Sequence, residues 1–221
     1  MILADTFRWG TFADAIRFAG DNPGLLVHKS FEHLELSGAA LGIALLLALP
    51  IGVFLGHVHR GSFAAINASN LGRALPSLVL IAFGLTILGI GFWNNTAALV
   101  VLALPPILTN SFFGVDGVDR DVVEAARGMG MTGRQVLWRV ELPLALPLVF
   151  AGIRIAAIFV IATATIAAIA GGGGLGEIIV NQASYRLSGV VAASLCVSLL
   201  SFGAALALAL LKRALSPPTR A

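Results

Sequence analysis

The chain has 221 residues, 58% of them hydrophobic and 11% charged, with a mean hydropathy of +0.95. Soluble domains carry about 25% charged residues, so an ordinary soluble enzyme is excluded. A disordered chain is excluded too, since apolar surface is ample. The net charge of +3 comes from only 14 Lys+Arg against 11 Asp+Glu, too little basic charge for a nucleic-acid surface.

In chain order, residues 1–30 form an N-terminal arm. Its first 22 residues lack a basic start, a long apolar middle and a small-residue cleavage site, so no cleaved leader is expected. Phe7, Trp9, Phe12, Ile16 and Phe18 alternate with Arg8, Asp14 and Arg17. This pattern reads as a short helix lying on the outer membrane surface, or equally as a packing arm. A membrane crossing needs about 20 mostly apolar residues. Five segments of residues 31–212 qualify, at about 34–56, 71–92, 94–113, 147–170 and 188–211, leaving a tail at 213–221.

Span 1 holds two Gly-x-x-x-Gly pairs, Gly38/Gly42 and Gly52/Gly56. Such pairs let helix backbones approach closely, and packing within the subunit is expected over a dimer seam. His57 and His59, with His28 and His33, could suggest a metal, but His57 and His59 are two apart at a helix end with no carboxylate or Cys close in sequence, and they read as interfacial polar residues. Gly91, Phe92, Trp93 and Asn94 make a tight hairpin between spans 2 and 3, with Trp93 at interfacial depth. Pro50, Pro76, Pro105, Pro106 and Pro147 lie in or at the ends of spans, where each removes a backbone donor. Ser77, Thr109, Asn110, Thr163 and Thr165 are polar positions in the spans and candidate path-lining residues. Thr163 and Thr165 are also expected to bond back to their own helix. After span 4, Gly171 to Gly174 with Gly176 read as a flexible external turn. Cys196 lies in an apolar run and reads as a small buried side chain.

An odd number of crossings puts the termini on opposite sides. With the N-terminus outside, nine basic residues face inward (Arg60, Arg73, Arg120, Arg127, Arg134, Arg139, Lys212, Arg213, Arg220) and four outward (Arg8, Arg17, Lys29, Arg186). The positive-inside bias therefore favours an external N-terminus and a cytoplasmic C-terminus. Arg154, near the inner end of span 4, can snorkel to water.

The segment 114–147 between spans 3 and 4 is long and charge-rich, carrying Asp116, Asp119, Arg120, Asp121, Glu124, Arg127, Arg134, Arg139 and Glu141. Asp119 is a good N-cap. Val122, Ala125, Ala126 and Met129 follow on one helical face, with Arg120, Glu124 and Arg127 able to pair on the other. Gly128 and Gly130 end this helix. Thr132 and Gln135 have capping-box spacing for a second helix, which carries Val136, Leu137 and Val140 and is limited by Pro143 and Pro147. The expected form is helix, glycine break, helix, with a small-residue face able to enter a groove on another protein. Gly128, Gly130 and Gly133 match G-x-G-x-x-G by letter, but they follow a helix rather than a strand, so a dinucleotide site is not expected. No Walker motif, paired-carboxylate or nucleophile–base pattern occurs.

Glu124-Ala125-Ala126, Gly130, Val140 and Leu142-Pro143 reproduce the spacing of the EAA signature of ABC-importer permeases, with Val140 where that signature usually has Ile. The chain resembles the five-span, type I members of that family. The text EAARGMGMTGRQVLWRVELPLALPLVFAGIRIAA and ATATIAAIAGGGGLGEII is similar to the osmoprotectant branch, for glycine betaine, choline, carnitine and proline betaine. The resemblance implies an all-α transport subunit of the bacterial cell membrane. Its coupling loop, 114–143, would dock on a cytoplasmic ABC ATPase dimer through Glu124, Ala125, Ala126, Gly130, Val140, Leu142 and Pro143. It also implies a second permease subunit, identical or paralogous, and an extracytoplasmic substrate-binding protein. ATP and Mg would sit on the ATPase, with no cofactor or metal in this chain, membrane lipid around it and no nucleic acid. Quaternary ammonium ions are held by aromatic faces, and no Trp/Tyr cluster is evident in the spans, so selectivity is expected to lie in the binding protein. The alternatives are a methionine or other amino-acid importer permease, which shares the five-span plan and EAA loop, and an ion-coupled secondary transporter or channel. The last would call for mid-membrane carboxylates or an inverted repeat, and neither is evident.

Overall fold

The computed structural model describes residues 10–60, 63, 67 and 76–215, and its described elements are all helical. They are α1 (Gly10–Asp21), α2 (Pro23–His57), α3 (Ser77–Leu88), α4 (Phe92–Asp116), α5 (Arg120–Gly128), α6 (Gly133–Val136), α7 (Leu142–Ala167), α8 (Leu175–Val180) and α9 (Gln182–Leu215). A π-helical segment, Leu137–Glu141, joins α6 to α7, and a 3-10 turn, Ala168–Ala170, closes α7.

Four helical runs are long and apolar enough to cross a membrane: Pro23–His57, Phe92–Asp116, Gly133–Ala170 and Gln182–Leu215. All outrun the hydropathy-based spans. α2 begins at Pro23 rather than Leu34, so the last part of the expected N-terminal arm belongs to the first long helix. α4 runs over 92–116 rather than 94–113, which places Trp93 and Asn94 in its first turn and leaves Gly89–Gly91 to make the bend. The final span, expected at 188–211, is part of α9, which kinks at Arg186 with φ 55° and ψ 176°. Only the expected span 71–92 is represented by a shorter element. α3 has 12 residues, about 18 Å at ~1.5 Å rise, against a hydrocarbon layer of ~30 Å. Residues 71–75 of that span, Arg73 included, lie outside the described residues, as do Phe7, Trp9 and Arg8 of the arm.

Pro143 and Pro147 do not separate a second loop helix from span 4. Helix continues from Gly133 to Ala170 through the π segment. There the Leu142 N–H bonds back to the Leu137 carbonyl, five residues away. This widens the helix at the turn where the Pro143 ring would crowd the carbonyl four residues before it.

The chain divides into two compact units. The first takes the chain up to Ala40, Ser77–Leu99 and Phe159–Gly203. Its interior includes Leu99, Ala164, Ala167, Leu175 and Ile178, all fully buried. α8 packs so closely that a side chain at Gly176 would collide with the Thr165 backbone. The second unit takes Leu41–Pro76, Val100–Ile158 and the chain from Ala204. One core cluster there is Val115, Ala145, Val149 and Ile153, with Leu45, Leu49, Val53, Leu137 and Leu208 packed on it. The pair Gly52/Gly56 brings α2 onto α4: added Cβ atoms would lie 2.7 Å from the Leu108 carbonyl and 2.8 Å from that of Phe112. Gly152 likewise brings α7 against Pro106 and Asn110. The expected packing within the subunit thus holds for Gly52/Gly56. Gly38 and Gly42 have nothing within 4 Å of an added Cβ.

Candidate functional site

The segment between α4 and α7 is built by local chemistry. The Asp119 carboxylate accepts the Asp121 N–H at 2.9 Å and caps α5, satisfying a donor that the first turn leaves free. At the other end the Gly130 N–H bonds the Arg127 carbonyl (2.9 Å) and the Met131 N–H bonds that of Ala126 (3.2 Å). This Schellman arrangement needs a left-handed residue at its centre, and Gly130 supplies φ +84°. Gly128, the other expected terminator, is simply the last residue of α5. Thr132 and Gln135 form the expected capping box, the Gln135 side chain accepting the Thr132 N–H at 2.8 Å. Beneath these caps Val118, Val123, Ala126 and Val136 make a small core, closed by Met131 and Val140.

That core takes Ala126 away from the expected outward face of α5 and leaves the rest of it exposed. Val123 and Ala126 point inward, whereas Val122 is 43% and Met129 73% exposed, and Ala125 is exposed with them. Val118 and Val136 decide this, because they offer apolar surface to one side of α5 only. The outward surface is therefore a stripe of Val122, Ala125 and Met129. Arg120, Glu124 and Arg127 are exposed and form no ion pair among the described residues; separately hydrated, they lose little. Of the expected coupling residues, Glu124 and Ala125 lie on the surface, Ala126 and Val140 in the small core, Gly130 at the break, and Leu142 and Pro143 half-buried where α7 begins.

Two ionic contacts tie this segment to the end of α2. Glu141, 0% exposed, accepts from His57 Nδ1 at 2.5 Å. Its second oxygen has no partner. His59 meets Asp116 at 2.9 Å. Reading His57 and His59 as isolated interfacial residues missed both pairs. The signal available was Glu141 itself, since a carboxylate inside the run Val-Glu-Leu-Pro-Leu needs a partner if buried.

The first unit carries a second polar cluster. Lys29 Nζ donates to Glu32 (2.9 Å) and to Glu177 (2.6 Å), and Glu32 also accepts the Gly174 N–H (2.8 Å). His33 Nε2 lies 2.9 Å from the Ile161 carbonyl, which accepts from it. The glycine run 171–174, expected to be a flexible turn, is thus pinned to the first turns of α2. Asn95 donates to the carbonyls of Gly91 (2.8 Å) and Ala170 (3.1 Å) from a fully buried position.

The candidate path residues fall on three helices, Ser77, Thr163 and Thr165 in the first unit and Thr109 and Asn110 in the second. Ser77 opens α3. Thr163 is buried in α7, and Thr165 donates to the Ala162 carbonyl of its own helix at 2.7 Å, as expected. Asn110, next to Thr109, donates to the Pro106 carbonyl one turn back in α4 at 2.8 Å. Among the described residues no three His, Cys, Asp or Glu gather as metal ligands.

Residues 48–217 match the family model described as binding-protein-dependent transport system inner membrane component. The chain is 36% identical over 190 residues to the glycine betaine/carnitine/choline transport system permease protein OpuCB of Bacillus subtilis, covering 84% of this chain and 88% of that protein. It is 34% identical over 194 residues to the osmoprotectant import permease protein OsmW of Salmonella typhimurium, covering 85% and 90%. In fold it is similar to a chain of the MetNI methionine ABC transporter in an inward-facing conformation, with TM-score 0.76, 25% identity, and coverage of 89% of this chain and 99% of that one.

Proposed function

The chain belongs to the binding-protein-dependent transport system inner membrane components, and from that premise we propose that it is the permease subunit of an osmoprotectant importer in the bacterial cell membrane. Glycine betaine, choline and carnitine are the class of cargo, as the names of the relatives at 34–36% identity indicate. The chain is a transport subunit and not itself the ATPase; ATP and Mg are used by a cytoplasmic partner. A second permease copy or paralogue completes the translocation path, and an extracytoplasmic binding protein delivers and selects the cargo. The methionine reading draws on the fold neighbour alone.

α3 is the fifth crossing in this reading, and the N-terminus faces outward. The uneven distribution of basic residues supports that orientation. It puts the α5–α6 segment in the cytoplasm as the coupling foot, with Glu124, Ala125, Ala126, Gly130, Val140, Leu142 and Pro143 in the signature positions. The observation that carries the reading is mechanical. A short helix capped at both ends presents Val122, Ala125 and Met129 outward and leads into a 38-residue helical run that begins with α6. Closure of the ATPase dimer would push such a foot as a unit, and the continuous rod would carry the displacement into the membrane.

Cysteine placed at Ala125 or Met129 should cross-link to the ATPase subunit in membranes. Gly130→Asp should leave the chain inserted yet abolish glycine betaine uptake. Full uptake by that variant, together with no cross-link from any position in 120–129, would refute the coupling assignment. Competition of uptake by methionine but not by choline would reassign the cargo.

A further inference from the structure

Within the second unit, α7 and α9 leave between them a groove of about 640 Å³. Its walls are apolar, including Phe150, Ile155 and Leu208, and three cations line it, Arg154, Lys212 and Arg213. No carboxylate lines it, and none of the three cations forms an ion pair among the described residues. Both walls belong to runs long and apolar enough to cross a membrane. An apolar groove on such helices is covered by hydrocarbon or by protein rather than by water along its length. Clustered unpaired cations beside apolar walls are costly in that setting unless an anion joins them.

We propose that this groove binds an anionic phospholipid, its phosphate headgroup held by Arg154, Lys212 and Arg213 and an acyl chain lying along Phe150, Ile155 and Leu208. Charge complementarity selects this occupant: three basic side chains and no acidic one favour a headgroup of net negative charge over a zwitterionic one. Basic pockets between membrane helices are suited to such headgroups. The site is separate from the coupling segment and does not depend on the identity of the cargo.

The test is lipid retention by the full chain, extracted in mild detergent from vesicles containing phosphatidylglycerol and phosphatidylcholine in known ratio and weighed by native mass spectrometry. Each basic side chain near a membrane surface contributes roughly five-fold, so phosphatidylglycerol should be retained over phosphatidylcholine by at least about ten-fold after correction for the bulk ratio. The triple variant Arg154→Gln, Lys212→Gln, Arg213→Gln should fall to near parity, while the charge-preserving double variant Arg154→Lys, Lys212→Arg should keep the preference. Raising the salt should weaken it in the unaltered chain, a readout that needs no variant to fold. No preference in the unaltered chain, or an unchanged one in the triple Gln variant, overturns the proposal. So does efficient disulfide formation between two copies carrying Ile155→Cys, which would show that a second chain covers the groove. Transport plays no part in these readouts, so their failure leaves the permease assignment untouched.

Discussion

Replacing His57 by Phe would strand Glu141 without its hydrogen-bond donor. Glu141 is 0% exposed, and the His57 side chain is 19% exposed, so water does not readily replace the lost contact. Breaking a buried pair by removing one partner costs about 3–5 kcal/mol. The His57 end is partly wet, so the low figure applies, about 3 kcal/mol. At ~2–4 °C per kcal/mol for a chain of this size, the midpoint should drop by about 6–12 °C. Replacing both residues, His57→Phe with Glu141→Met, removes the stranded charge along with its partner, and the double variant should recover most of that loss. The assay is thermal unfolding in detergent, followed by the rise in labelling rate of the single thiol, Cys196, which is half-buried in the folded chain. A double-mutant cycle should return a coupling of about 2 kcal/mol. Strict additivity, or a drop of under 1 °C for His57→Phe, would show that the contact contributes nothing to holding α2 against the base of α7.

Gly130→Ala should destabilise by about 1–2 kcal/mol through its left-handed backbone alone, since nothing lies within 4 Å of an added Cβ. Gly130→Asn should cost less, because Asn tolerates that conformation, and uptake and melting should both rank Gly, Asn, Ala. Gly52→Val should cost about 1–3 kcal/mol by overpacking against α4, whereas Gly38→Ala, with open space around it, should leave the melting midpoint of the isolated subunit unchanged or slightly raised. Equal effects at the two glycines would contradict the packing described.

What could be read from sequence follows the range of each interaction. The Asp119 cap, the Gly130 break and the Thr132/Gln135 box depend on residues within five positions, so pattern sufficed. The inward face of α5 did not follow from spacing, because Val122, Ala125 and Met129 form one apolar stripe and Val123 with Ala126 another. Only the placement of Val118 and Val136 decides between them. The His57–Glu141 contact spans 84 positions, and nothing near either residue announces the other. Helix-breaking rules put a boundary at Pro143 that the π segment removes. The glycine run 171–174 gave no hint of Lys29, Glu32 and His33, which come from the far end of the chain.

The π segment has a geometrical consequence. It holds more residues per turn than the helices on either side of it, and each residue of an α-helix advances the chain by about 100°. Any transition that smoothed Leu137–Glu141 into ordinary α-helix would therefore swivel α5 and α6 about the axis of α7 as well as shift them along it. A thrust delivered to the foot and a twist of the rod are then two aspects of a single screw-like displacement.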